Sequence, residues 1–346
     1  MLKLLSAIVG WGVVLGSCSV LGSLSAAEPP LARFESTQPQ MGVPFKVILY
    51  AADQEAANAG FDAAFSRVAQ LNRSLSDYDP QSELSRLSRA APTTQPLHVS
   101  DPLWLVLNRS QKLAEQTDGA FDVTVGPYVR LWRRARREKQ MPSPERLAEA
   151  RAAVGYRNLT LHEADHTVEL HQPGMRLDLG GIAMGYAVDE MLRVLAERGI
   201  TRVLVDASGD VGVGDPPPGK SGWTVDVLPL STAGTPQRRV QLSHAAVTTA
   251  GDAHQHVVLG GKRYSHIVDP RTGLGITDRV GIAIIARDCL TADSLDTAAS
   301  VLGPQAAMKL VEQTPGAAAF IVRPTDGKPE IFETPNFKDY AIDVPR

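Results

Sequence analysis

Two runs of the chain carry residue types that could do chemistry together. His266 follows a hairpin-like stretch, Val257-Val258-Leu259 and Arg263-Tyr264-Ser265 around Gly260-Gly261, and opens the loop Ile267-Val268-Asp269-Pro270-Arg271-Thr272-Gly273. Paired glycines suit the positive φ of a two-residue hairpin turn. Further on lies Ala292-Asp293-Ser294-Leu295-Asp296-Thr297. On a helix capped by Thr291, residues Asp293, Asp296 and Thr297 fall at i, i+3 and i+4 and share a face. Leu295, Ala298, Ala299 and Leu302 take the opposite face at core spacing. Carboxylates and a hydroxyl are hard oxygen donors of the kind magnesium takes, with water and substrate phosphate completing the shell. The same residues also suit a solvated first turn whose acids answer the helix dipole. An imidazole at a strand end is rigidly held and can take a proton from a hydroxyl near neutral pH. It can equally be a histidine hydrogen-bonded at a sheet edge. A base close in sequence to hard-cation donors points to phosphate chemistry.

A third run, Asp178-Leu179-Gly180-Gly181-Ile182-Ala183-Met184-Gly185, ends a strand, allows close backbone approach and opens a helix. A helix N-terminus after glycines is a ready anion site. Neither G-x-G-x-x-G nor a Walker lysine is present, so no nucleotide fingerprint applies. Asp178 suits either a hydrogen bond to a ligand or a helix cap. Asp206-Ala207-Ser208-Gly209-Asp210 and Thr249-Ala250-Gly251-Asp252 read as ordinary glycine turns after strands.

The elements that must position these groups follow from periodicity. A strand is expected over 43–52, then a helix over 56–75 with the stripe Phe61, Phe65, Val68, Leu71 and Leu75. Helices are expected over 101–117, 125–137, 144–154, 182–198 and 304–313. The 125–137 helix carries Arg130, Arg133, Arg134, Arg136 and Arg137, and reads as a solvated basic face rather than a site for anionic lipid or an acidic partner. Strands are expected near Leu159, Val168, Val203, Trp223 and Val240, and over 175–179, 280–287 and 317–323. Meandering strands mixed with helical blocks predict an α+β fold, a single large domain with mixed or antiparallel sheets flanked by helices.

With 346 residues, 43% of them hydrophobic, the chain can bury a large core. A net charge of −3 argues against a nucleic-acid binder. Residues 1–27 have the layout of an export signal, with Lys3, an apolar run and Ser25-Ala26-Ala27. Cleavage after Ala27 gives a soluble periplasmic protein. The alternative is that Leu15-Gly16-Ser17-Cys18 acts as a lipobox and Cys18 carries the lipid of an inner-membrane lipoprotein. Cys289 then has no cysteine partner, and no disulfide is expected. Residues 28–40 read as a Pro-rich tether, 41–335 as the domain and 336–346 as a C-terminal tail.

Taken together, the motifs resemble the ApbE family of FAD:protein FMN transferases from about Met41 to Arg323. The resemblance is carried by Ser76-Asp77-Tyr78 with Ser82-Glu83-Leu84-Ser85, and by Gly119-Ala120-Phe121-Asp122-Val123-Thr124-Val125-Gly126-Pro127. Asp178 to Ala183, Gly209-Asp210, Tyr264 to Gly273 and Ala292 to Thr297 complete it. It implies a magnesium-dependent reaction in which FAD is split, AMP leaves, and FMN becomes esterified through its phosphate to a threonine or serine of a target flavoprotein. It implies Mg2+ held by the carbonyl of Gly181 and the side chains of Asp293 and Thr297, with Asp296 nearby or as an alternative ligand. FAD would be lined by Met41, Tyr78, Ala120, Phe121, Asp122, Asp178, Met184 and Ile267, and His266 would activate the acceptor hydroxyl. The implied acceptor is a subunit of a membrane redox complex or an exported reductase. Met184 departs from the lysine or other polar residue common in the family, and Ser208 from a glycine-rich turn. The competing reading is a periplasmic lipoprotein that binds or hydrolyses FAD without transfer. The intact set of Asp293, Thr297 and His266 favours transfer, since a storage protein needs no base.

Overall fold

The run Gly281–Ala286 is apolar at every position, the pattern of a strand covered on both faces. The computed structural model describes residues 30–227, 238–251 and 256–342, and places this run inside a large sheet. In chain order, β1 (Ala32–Gln40) and β2 (Val43–Ala51) form an antiparallel hairpin. Next, α1 (Gln54–Leu75) is capped by the Asp53 carboxylate, which accepts from Ala56 N, and buries the stripe from Phe61 to Leu75. After it come α2 (Glu83–Arg89), β3 (Leu97–His98), α3 (Asp101–Gln116), α4 (Gly126–Glu138) and α5 (Pro144–Ala152). The strands β4 (Leu159–His162) and β5 (Thr167–Leu170) join β3 in a small sheet, and α6 (Ala183–Ala196) follows. Then come β6 (Val203–Ala207), β7 (Asp210–Val213), β8 (Trp223–Val227), β9 (Arg238–Leu242) and β10 (Ala245–Gly251). A hairpin of β11 (His256–Leu259) and β12 (Lys262–Ser265) precedes β13 (Gly281–Ala286), α7 (Cys289–Leu302) and α8 (Pro304–Glu312). The described chain closes with β14 (Ala318–Arg323), β15 (Glu330–Glu333) and β16 (Ala341–Ile342).

Among the described residues, the large sheet has the order β1-β2-β6-β7-β10-β13-β14-β15, and its pairings are antiparallel. Alternation along β13 sends Ile282, Ile284 and Ala286 into a core shared with α1, α3, α6 and α7. Ala283 and Ile285 face the opposite core, built with Trp223, Val227, Val240 and Leu242 of the β16-β9-β8 sheet. The architecture is therefore α+β, with antiparallel sheets and helices in one compact unit from Leu31 onward.

Four local expectations differ. Residues 32–40 are not a tether but the edge strand β1, where outward polar side chains and Pro39 are tolerated because one side of the ladder is unused. Residues 175–179 keep a strand's alternation, with Met175, Leu177 and Leu179 buried, yet form no ladder beyond a bridge between Val125 and Arg176. Thr291 does not cap α7; the helix starts earlier, at Cys289, and the Asp288 carboxylate accepts from Thr291 N. Residues 336–342 are packed rather than a loose tail. Phe337 is 0% exposed and stacks on Phe320 at 5.5 Å, and β16 pairs with β9. Phe337→Ala should therefore cost about 3–5 kcal/mol of stability, measured by denaturant unfolding. A loss below about 1 kcal/mol would mean that the segment is not part of the core. The export signal, the lipobox at Cys18 and the cleavage site at Ala27 lie outside the described residues. No described helix is long and apolar enough to cross a membrane.

Candidate active site

The site is built where α6 meets α7. The residue before α6, Ile182, has no side chain that can cap the helix. The missing acceptor comes from α7, because Asp293 Oδ2 takes the Gly185 N–H at 2.9 Å. Only glycine allows so close a crossing: a Cβ on Gly185 would lie 2.3 Å from the Cys289 carbonyl oxygen. A Cβ on Gly181 would likewise lie 2.5 Å from Thr297 Oγ1. The backbone of Gly181 and the side chains of Asp293 and Thr297 are thus gathered at one crossing.

The crossing is fastened by a residue that sequence reasoning passed over. Asp189 of α6 accepts from Cys289 N at 2.8 Å and Leu290 N at 2.9 Å, one on each carboxylate oxygen. Asp189→Ala should lower stability by about 2 kcal/mol. Burial pushes this carboxyl up to about 7 from an unfolded value of 3.8, so the native state holds more protons than the unfolded chain between those values. The stability it supplies therefore falls as pH rises, and the gap between wild type and variant should be wider near about pH 5 than near about pH 8. Calorimetric melts at both values check this, and a gap that widens with pH would contradict it.

The acids of α7 are not a solvated face. Asp293 is 8% exposed and Asp296 5%. Burial pushes Asp293 up to about 7 against the Gly185 N–H, which pulls it down. Asp210, at the start of β7, is held well above its ordinary value by burial first, then by Asp293, Asp296 and Asp206. Among the described residues no three His, Cys, Asp or Glu side chains form a metal-holding group. The groups gathered at the crossing, the Gly181 backbone, the Thr297 hydroxyl and the buried carboxylates, offer hard oxygens. They fit a magnesium ion, whose charge would relieve the crowded acids.

A second cluster forms around Asp178. Its Oδ1 accepts from Gly180 N at 2.9 Å and its Oδ2 from Arg133 Nη2 at 3.1 Å. Burial, with the nearby Asp77 carboxylate, pushes Asp178 up to about 6 despite Arg133 and the Gly180 N–H. The other arm of Arg133 donates to Asp77, and the guanidinium lies 4.1 Å from the centroid of the Tyr78 ring. The Ala120-Phe121-Asp122 segment runs alongside, with Asp178 N donating to Val123 O at 2.8 Å. Ala120, Phe121 and Asp122 have buried side chains, and Asp122 is occupied by Thr124 N at 2.8 Å and Thr124 Oγ1 at 2.7 Å. Met184 is half-buried in the first turn of α6, and Met41 makes the β1–β2 turn at φ 47°.

His266 is the first residue past β12 and is half-buried. The following Ile267 is fixed by its N–H to Ser265 Oγ at 3.2 Å and by its carbonyl, which accepts from Ile276 N at 3.0 Å. The loop rests on α4, where Trp132 Nε1 donates to Gly273 O at 2.8 Å, and reaches α7, where Arg271 Nη2 lies 3.5 Å from Val301 O. The histidine loop thus touches the helix that supplies Arg133 and the helix that supplies Asp293 and Thr297.

The family model described as the ApbE family matches residues 41–321. Over 280 residues the chain is 31% identical to the FAD:protein FMN transferase of Escherichia coli (strain K12), covering 78% of both chains. It is 29% identical over 345 residues to the protein of the same name from Klebsiella pneumoniae (strain 342), covering 95% of this chain and 96% of that one. The solved flavin transferase ApbE from Vibrio cholerae aligns with a TM-score of 0.80 at 28% identity, covering 90% of this chain and all 100% of that one.

Proposed function

Because the chain belongs to the ApbE family, we propose that it is an enzyme that moves FMN from FAD onto a threonine or serine of a target flavoprotein. The observation that carries this reading is the convergence of Gly181, Asp293 and Thr297 at the α6–α7 crossing, with the loop that starts at His266 docked on the same helix. The acceptor oxygen attacks the FMN phosphorus, a new P–O ester forms, and the bond to the bridging oxygen breaks. AMP leaves with that oxygen, and His266 takes the hydroxyl proton. Mg2+ held by Gly181, Asp293 and Thr297, with Asp296 beside them, would neutralise charge building on the leaving phosphate.

The protein supplies position and electrostatics. Tyr78, Asp178, Met184, Ile267, Met41 and the backbone of Ala120-Phe121-Asp122 would hold FAD. The acceptor would be a subunit of a membrane redox complex or an exported reductase, met in the periplasm, with Cys18 as a candidate lipid anchor.

Incubation with FAD, Mg2+ and a periplasmic flavoprotein domain, followed by mass measurement of the acceptor, tests the proposal. An FMN adduct with release of AMP is expected. Tight FAD binding without an adduct on any acceptor would sink it. FMN and AMP formed only in free solution would point to a hydrolase instead.

A further inference from the structure

The basic run on α4 is not uniformly solvated. Arg130, Arg134 and Arg137 face out, whereas the Arg133 side chain is 20% exposed and bridges two carboxylates from distant parts of the chain. We propose that Arg133 is a positioning residue for FAD, joining Asp77, Tyr78 and Asp178 into one wall of the flavin pocket; this rests on the transferase reading above.

Three observations carry the inference. The guanidinium makes ion pairs to Asp77 and Asp178 and also lies against the Tyr78 ring, a combination open to a planar fork but not to an ammonium. Tyr78 is 75% exposed, so little else packs on its ring, and without Arg133 its side chain would be free to turn. The arginine is itself held from behind, because the neighbouring Trp132 is buried and anchored to Gly273 O of the histidine loop.

Two variants, Arg133→Met and Arg133→Lys, are compared with the intact protein in two assays. Quenching of FAD fluorescence on titration gives Kd without metal or acceptor, and steady-state transfer gives KM for FAD and kcat. Arg133→Met should raise Kd and KM by about tenfold or more, the loss expected for a charge-assisted hydrogen bond, with kcat changed by no more than about twofold. Arg133→Lys should recover part of the affinity, since it restores the charge but not the fork. Unchanged or tighter FAD binding by Arg133→Met would overturn the proposal, as would a fall in kcat with KM unmoved. If Arg133→Met does not fold, Asp77→Asn frees one arm of the guanidinium and should still weaken FAD binding; wild-type affinity there would equally overturn it. Wild type that neither quenches FAD nor modifies an acceptor would remove the transferase reading itself. Failure of Arg133 alone would instead leave wild-type binding intact and the variant indistinguishable from it.

Discussion

His266→Ala should lower FMN transfer by about 10²–10⁴-fold while leaving FAD affinity within about twofold of wild type, the range set by loss of a general base. The expected split follows from where the residue stands. His266 opens a loop whose backbone is already fixed by Ser265 Oγ, Ile276 and the Trp132–Gly273 bond, and none of those contacts uses the imidazole. Truncation at Cβ should therefore leave the loop and the α4 wall standing. Fluorescence titration with FAD and mass measurement of the acceptor read the two quantities independently. Transfer at the wild-type rate would remove His266 as the base, and loss of FAD binding would make it part of the flavin site.

Much of this site was legible in the sequence because its parts are local. The Gly260-Gly261 turn reads as a hairpin, and both residues take left-handed φ, +56° and +76°. The apolar stripe of α1 and the unbroken apolar run of β13 each name their neighbours through period alone. What was not legible depends on contacts between distant segments. Periodicity assigns Asp293 and Asp296 to an open face, yet α7 packs against both α6 and α8 and is buried on nearly every side. Arg133 looks like its exposed neighbours in sequence, and only the arrival of Asp77 and Asp178 from other segments turns it inward. Asp189 shows no motif, since its partners are backbone N–H groups a hundred residues away. The one sequence hint for Arg133 was its place next to Trp132 in the buried stripe of Tyr128, Trp132 and Ala135. Ser208 sits at φ 58°, a left-handed position that glycine fills without strain.

Asp293→Asn should lower turnover by about 10²–10⁴-fold and remove saturable Mg2+ binding in calorimetric titration, the scale expected when a group stabilising transition-state charge is lost. Asparagine is the more informative substitution because Asp293 has one task in the fold and, under the proposed mechanism, a second in the chemistry. One oxygen caps α6 through the Gly185 N–H, and an amide oxygen can keep that bond at 2.9 Å. The other task is charge, which asparagine cannot supply. Asp293→Ala removes both, leaving a helix N-terminus without its acceptor, and should destabilise the fold by about a further 1–2 kcal/mol. Comparing the two therefore separates the ligand from the cap. Asparagine should melt close to wild type and be inactive, whereas alanine should melt earlier and be inactive. An active Asp293→Asn protein, unaffected by a chelator, would mean that the α6–α7 crossing is a structural joint alone and that the phosphate chemistry lies elsewhere.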